Sequence, residues 1–356
     1  MSETQALEPF TQMHLDSQPP QRRVVWRRLG HASVERFNGL LIWAAFLVVF
    51  AIWVPSTFLT SSTAQDILYQ QSVTAIAALG ILFPLAAGVY DLSIGTTLGL
   101  AAVVTARLTS QGHVGTVEVL AIALGLGLLI GLMNGLLVVG FGINSFIATL
   151  AMSSVLTAAI GAYTNGDFIA SVPHSYQALT SHHFLGVPEV AFYVVVLALV
   201  AWYALEHAPF GRQLAASGFN PEASRLAGVS VGRLMLLGLI ISATMAAAAG
   251  ALLTSQLGTA TPDTGPPYLL PAYAAAFLGS TQLKPGRFNA WGTLIAILLL
   301  ATGVKGLQLA GASNWVTDLF NGVALMVAVG LSVAKRRERP LRQILQFALL
   351  QRRHTS

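Results

Sequence analysis

Long apolar runs separated by short polar breaks fill the chain from about residue 38 to 334. A helix that crosses a bilayer needs roughly 20 apolar residues. By that measure the pattern predicts spans near 38–58, 67–87, 92–106, 118–140, 144–164, 189–207, 233–255, 268–283, 290–309 and 315–334. Two of them are short and interrupted. The third follows "AAGVYDLSIG", where Gly88 and Asp91 break the run; the eighth follows "TPDTGPPYLLPAY", with Pro262, Pro266, Pro267 and Pro271. Sliding the second half back by 171 residues lays Gly306-Leu307 on Gly135-Leu136, Gly311 on Gly140, and the break at 259–264 on the one at 88–93. Paired spans then run in opposite directions. The expected fold is all-α: a polytopic membrane protein of about ten transmembrane helices, in two inverted-topology halves with broken helices. Breaks at matching positions of inverted halves point to a solute path where the halves meet.

Composition strengthens this reading. The 356 residues are 54% hydrophobic and only 9% charged, whereas soluble domains carry about 25% charged residues. The absence of cysteine excludes disulfides, thiolate metal sites and cysteine nucleophiles. A net charge of +5 raises the question of nucleic acid, but the placement of the charges argues against that partner. With ten spans, 17 of the 19 lysines and arginines fall on one face, in the arm before residue 37, the central loop, the 284–289 turn and the tail; Arg107 and Lys305 lie near the other. The positive-inside rule makes the basic face cytoplasmic and places both termini there. The opposite loop, 165–188, has no lysine or arginine. The chain divides into an arm at 1–36, a membrane domain at 37–334 and a basic tail at 335–356, whose "LRQILQFALL" suits an interfacial helix.

One polar island interrupts the middle of the membrane domain, the loop 208–233. Pro209-Phe210-Gly211-Arg212 ends the preceding span. A short helix then follows, with Asn220 as N-cap, Pro221 at its first position, Glu222 facing the positive end of the helix dipole, Arg225 within it and Gly228 as C-cap. Lying between two spans on the basic face, this helix is placed to receive mechanical work from a separate motor. The chain has no G-x-x-x-x-G-K-[ST] pattern of its own.

Polar residues inside the spans carry two readings each. Asp91, with Ser93, lines a path or gate, or else is a carboxylate that fixes the broken helix end. Asn134 and Asn144 bond a polar solute or bridge helices. Gly127, Gly131 and Gly135 form a small-residue face for close helix packing. Lys305 and Asp318 are expected to pair across the "LAGASNW" turn. His174, His182 and His183 lack the spacing of a metal site, and no metal is expected.

Three stretches, "GVYDLSIGTTLGLAAVV", "GLMNGLLVVGFGINSFIATLAM" and "FGRQLAASGFNPEASRLAGVSVGR", in that order, resemble a ribose-type ABC transporter permease over roughly residues 65–332. The resemblance implies a permease subunit of the bacterial inner membrane that carries a monosaccharide or similar neutral polyol. It implies a dimer with a second copy or paralogue, a cytoplasmic ATPase subunit holding ATP and Mg, an extracytoplasmic substrate-binding protein, and no cofactor on this chain. It also implies that Asn220 to Gly228 is the coupling helix, with Gly211 and Arg212 in the motif before it. The chain departs from the family pattern at "LGSTQLKPGRFNAWG", where Lys284-Pro285 replaces glycines, and at Val89-Tyr90 and Asn144-Ser145. Two alternatives remain: a branched-chain amino acid ABC permease, and a secondary transporter driven by an ion gradient.

Overall fold

In the computed structural model, residues 39–331 are described apart from His113 and Asn314. The arm at 1–36 and the tail at 335–356, including its expected interfacial helix, lie outside the described residues. The helices in chain order are α1 (Gly39–Trp53), α2 (Pro55–Phe58), α3 (Ser61–Ala86), α4 (Ile94–Ser110), α5 (Thr116–Gly135), α6 (Ser145–Thr164), α7 (His174–Ser181), α8 (Glu189–Trp202), α9 (Pro209–Phe219), α10 (Pro221–Leu226), α11 (Val231–Leu257), α12 (Leu269–Gly279), α13 (Ala290–Leu309) and α14 (Trp315–Leu331). A two-residue strand pair, His183–Phe184 with Val187–Pro188, closes a turn in the 165–188 loop. Helix α5 runs on into a π-helical turn at Leu136–Gly140, and α8 into another at Tyr203–His207.

Among the described residues, six helices are long and apolar enough to cross a membrane: α3, α5 with its π turn, α6, α8 with its π turn, α11 and α13. Helices α1, α4 and α14 are shorter and apolar, and α12 spans only 11 residues. The starts of several helices are written locally. Thr60 accepts from the Thr63 N–H at 3.2 Å to cap α3, and Asn289 accepts from the Gly292 N–H at 2.7 Å to cap α13.

Helix α11 is the hub. Its Gly238 faces Pro84, its Ser242 faces Gly80 and its Gln256 bonds Tyr69, so α3 crosses it antiparallel. Leu98 meets Gly250, and Thr254 Oγ1 donates to the Ala102 carbonyl at 2.9 Å, so α4 runs parallel to it. Gly127, Gly131 and Gly135 of α5 press on Ala243, Ile240 and Leu236 of α11, the use expected for that small-residue face. In lipid, apolar burial does not drive helices together, and packing at this closeness supplies the attraction instead.

The two halves correspond. Helix α3 ends at Ala86 and α11 at Leu257, 171 positions apart, and both are followed by an irregular segment and a shorter helix. These counterparts, α3 and α11, are the same pair that crosses antiparallel, as inverted halves require.

Candidate functional site

The first break, Ala87 to Ser93, turns at Gly88, whose φ of +82° suits a residue without a Cβ. A non-helical segment inside a membrane protein must find partners for its backbone N–H groups, and each one here does. Val89 N–H bonds the Pro84 carbonyl at 3.0 Å. Tyr90 N–H donates to Ser145 Oγ at 3.1 Å, Asp91 N–H to Tyr273 Oη at 3.1 Å and Leu92 N–H to Thr149 Oγ1 at 3.0 Å. Asp91 Oδ1 then accepts from both the N–H (3.1 Å) and the hydroxyl (2.6 Å) of Ser93, and Asn134 Nδ2 donates to Ser93 Oγ at 2.8 Å. Side chains from α5, α6 and α12 thus hold the break open. Asp91, Ser93 and Asn134 are fully buried. Asn144 stands apart from them: it is exposed and caps α6 by accepting from the Phe146 N–H at 2.9 Å.

The second break, Gly258 to Gly265, is held from the other side of the molecule. Ile169 and Ala260 exchange backbone hydrogen bonds at 2.9 and 3.0 Å, tying this break to the 165–188 loop. Its last residue, Gly265, fits against the backbone of Gly95 and Gly99 in the first turns of α4, where a Cβ would overlap both. The two irregular segments therefore meet through the start of α4.

The central loop folds as two helices rather than the one that its sequence suggests. Pro209 opens α9 instead of merely ending the previous span, because proline suits the first helical position. Gly211 is buried against the Ala204 and Leu205 carbonyls, and Arg212 Nη1 donates to the His207 carbonyl at 3.2 Å. Asn220 caps α10 through the Ala223 N–H at 3.0 Å, Pro221 follows at its first position, and Gly228 closes it at φ +81°. Glu222 and Arg225 are exposed and make no ion pair among the described residues; Leu226 beside them is 91% exposed. One contact joins this loop to the first break: Gly218 of α9 lies on Ala86 and Gly88, so closely that a Cβ would overlap the Ala86 carbonyl. Beside it Lys284 is ion-paired with Glu206, linking the loop after α12 to the π turn before α9.

Between α3, the end of α11, α12, α13 and α14 lies a cavity of about 440 Å³. Its polar lining is Tyr69, Gln70, Gln71, Gln256, Tyr268 and Asn321, with threonines at 74 and 317, and among the described residues no lysine, arginine, histidine or carboxylate lines it.

The profile of a family described as branched-chain amino acid transport system / permease component matches residues 63–329. The chain belongs to this permease family. The ribose import permease protein RbsC of Bacillus subtilis (strain 168) is 34% identical over 303 residues, 84% of this chain and 92% of that protein. The autoinducer 2 import system permease protein LsrC of Enterobacter sp. (strain 638) is 30% identical over 288 residues, 80% of this chain and 84% of that protein. The D-allose transport system permease protein AlsC of Escherichia coli (strain K12) is 26% identical over 297 residues, 83% and 91% of the two chains. No solved structure matches the chain significantly.

The permease is a multi-pass membrane protein, and its fold departs from one pairing expected of its sequence. Lys305 Nζ bonds Asp66 Oδ2 of α3 at 3.2 Å, not Asp318. Asp318 is closer in sequence, but Asp66 is brought alongside by the packing of α13 on α3. The side chains that hold the first break, Ser145, Thr149 and Tyr273, and the amides that line the cavity carry no signal in a single sequence. Hydroxyls and amides inside apolar runs were their only trace.

Proposed function

We propose that this chain is the membrane-spanning subunit of a binding-protein-dependent ABC importer, moving a monosaccharide or similar neutral polyol into the bacterial cytoplasm. Ribose, allose and autoinducer 2 are the cargoes in the names of the relatives above. A cavity without charged walls suits a neutral cargo better than a zwitterion, whose two charges would lose their water without counter-charges. In this reading the chain hydrolyses nothing itself. ATP and Mg belong to a separate ATPase subunit, an extracytoplasmic binding protein delivers the cargo, and a second permease copy or paralogue completes the dimer. The α9–α10 face and both termini are cytoplasmic.

The observation that carries the coupling role is the contact of Gly218 with Ala86 and Gly88. An ATPase gripping the exposed face of α10, at Glu222, Arg225 and Leu226, would move α9 as a lever. That lever ends on the one glycine around which the first break turns. Asp91, Ser93 and Asn134 then stand where the motion reaches the path, and Asn144 sets the start of α6 beside it. Rocking of two halves about a fixed site is the usual consequence of such an arrangement.

Reversing both charges, Glu222→Lys with Arg225→Glu, tests this. In proteoliposomes carrying the whole assembly, sugar uptake is expected to fall at least ~10-fold while ATP hydrolysis continues, the loss of a contact worth about 1.4 kcal/mol or more. Normal uptake by the doubly reversed permease would remove the lever from α10.

A further inference from the structure

We infer that one buried water molecule bridges the first break to α11, held by Asp91 Oδ2, Asn134 Oδ1 and Ser242 Oγ. This site is independent of the cargo that the permease carries.

Asp91, Ser93, Asn134 and Ser242 are all fully buried, so each of their polar atoms must find its partner inside the molecule. Asp91 Oδ1 is satisfied twice, by the N–H and by the hydroxyl of Ser93. Ser93 Oγ spends its one proton there at 2.6 Å, so toward Asn134 it can only accept. That requirement turns Asn134 Nδ2 to Ser93 at 2.8 Å and leaves Asn134 Oδ1 facing away. Asp91 Oδ2 and Asn134 Oδ1 then have no hydrogen-bond partner. Ser242 Oγ of α11 is directed at the Asp91 carboxyl but stops short of a hydrogen bond with it.

No adjustment of these side chains alone repairs the deficit. A carboxylate oxygen and an amide oxygen only accept, so they cannot serve each other, and Ser242 has a single proton to give. A water molecule closes the count. Its two protons go to Asp91 Oδ2 and Asn134 Oδ1, and its oxygen takes the proton of Ser242. Three partners is the usual number for a water inside a protein. A metal ion suits the place less, because calcium takes roughly six to eight oxygens and magnesium a full octahedron. Among the described residues no group of three or more histidines and carboxylates is gathered to hold one. Thr97 and Thr105 also carry unpartnered buried hydroxyls, but a helical threonine can turn its proton to the carbonyl one turn back. An oxygen that only accepts has no such remedy.

The position of the water has a mechanical consequence. Among the described residues no direct hydrogen bond joins the segment Ala87 to Ser93 to α11, the hub helix. Asp91 and Asn134 belong to the first half, and Ser242 to α11 in the second. A bond made through water is nearly as favourable as a direct one. Water can re-aim its protons as the helices shift, so it ties the break to the hub by a link that bends without parting.

A high-resolution experimental map of the full permease, from crystals grown in a lipidic mesophase, tests this. A density peak is expected about 2.7–3.2 Å from Asp91 Oδ2, Asn134 Oδ1 and Ser242 Oγ. Absence of that peak overturns the site, and so does a peak at the distances of a metal ion, about 2.0–2.6 Å. Unfolding equilibria in nanodiscs give a second reading. Ser242→Val puts a methyl group where the water lies and should shift the equilibrium ~10-fold or more toward the unfolded state. Asp91→Asn turns a donor of its own toward the unserved oxygens, so in that background Ser242→Val should cost no more than ~3-fold. Equal losses in the two backgrounds would mean that Ser242 acts by packing alone, and the bridge falls. The map needs no variant and decides the matter should Ser242→Val not fold.

Discussion

Asp91 shows how a single carboxylate holds an irregular turn inside a bundle. One of its oxygens takes both donors of Ser93, and Ser93 in turn takes the amide of Asn134. Removing the carboxylate strands two buried donors, so Asp91→Ala should lower the stability of the purified permease by about 2–4 kcal/mol. Asp91→Asn keeps an oxygen for Ser93 and should cost about 1 kcal/mol. Thermal unfolding in nanodiscs separates the two, and equal damage from both would mean that the charge, not the hydrogen bonds, matters. At this scale the sequence was partly readable. An aspartate followed by Leu-Ser after a glycine marked both the break and its clamp. The partners from Ser145, Thr149 and Tyr273 did not show, because they lie 55 to 182 residues away and only tertiary packing brings them in. The same limit misled the pairing of Lys305, whose partner Asp66 is 239 residues distant.

At the scale of elements, α5 and α11 offer the cleanest experiment. A Cβ at Gly131 would run into the backbone of Ile240, which cannot yield without separating the helices. Gly131→Val should therefore destabilise the permease by about 2–3 kcal/mol. Gly125 lies on the same helix with nothing within 4 Å of a Cβ. There Gly→Ala should be neutral or stabilise by up to ~1 kcal/mol through helix propensity. Comparing the two denaturation curves checks the packing directly. The small-residue spacing announced this face, and hydropathy placed most helices to within a few residues. Helix α9 leaves no mark in the hydropathy pattern, because Pro209 reads there as a stop where it is a start. The segment 268–283 closed earlier than its hydropathy suggested: α12 ends at Gly279, since Gly279 must fit against the backbone of Thr293 where the chain turns into α13.

For the whole molecule, the correspondence of α3 with α11 and the two linked breaks describe a pair of halves joined near the start of α4. Movement between them is a proposal that cross-linking can test. The chain has no cysteine, so thiols placed at Glu206 and Lys284 would be unique. Lys284 is exposed while Glu206 is largely covered, so a neutral double substitution, which leaves neither charge unpaired, should barely alter uptake. A short bis-maleimide across the same positions should abolish uptake while ATP hydrolysis persists. Full uptake by the cross-linked assembly would show that these two segments stay together throughout the cycle. The repeat and the breaks were legible because hydropathy records both. The cavity was not, since it arises from five helices whose amides are scattered from residue 70 to 321.

The stitch between Ile169 and Ala260 is made of main-chain atoms alone. Most side-chain exchanges at either position leave its two bonds in place, so the surrounding segment can change its surface without losing its hold. Proline at either position is the exception, for it deletes a donor and cuts one thread of the seam.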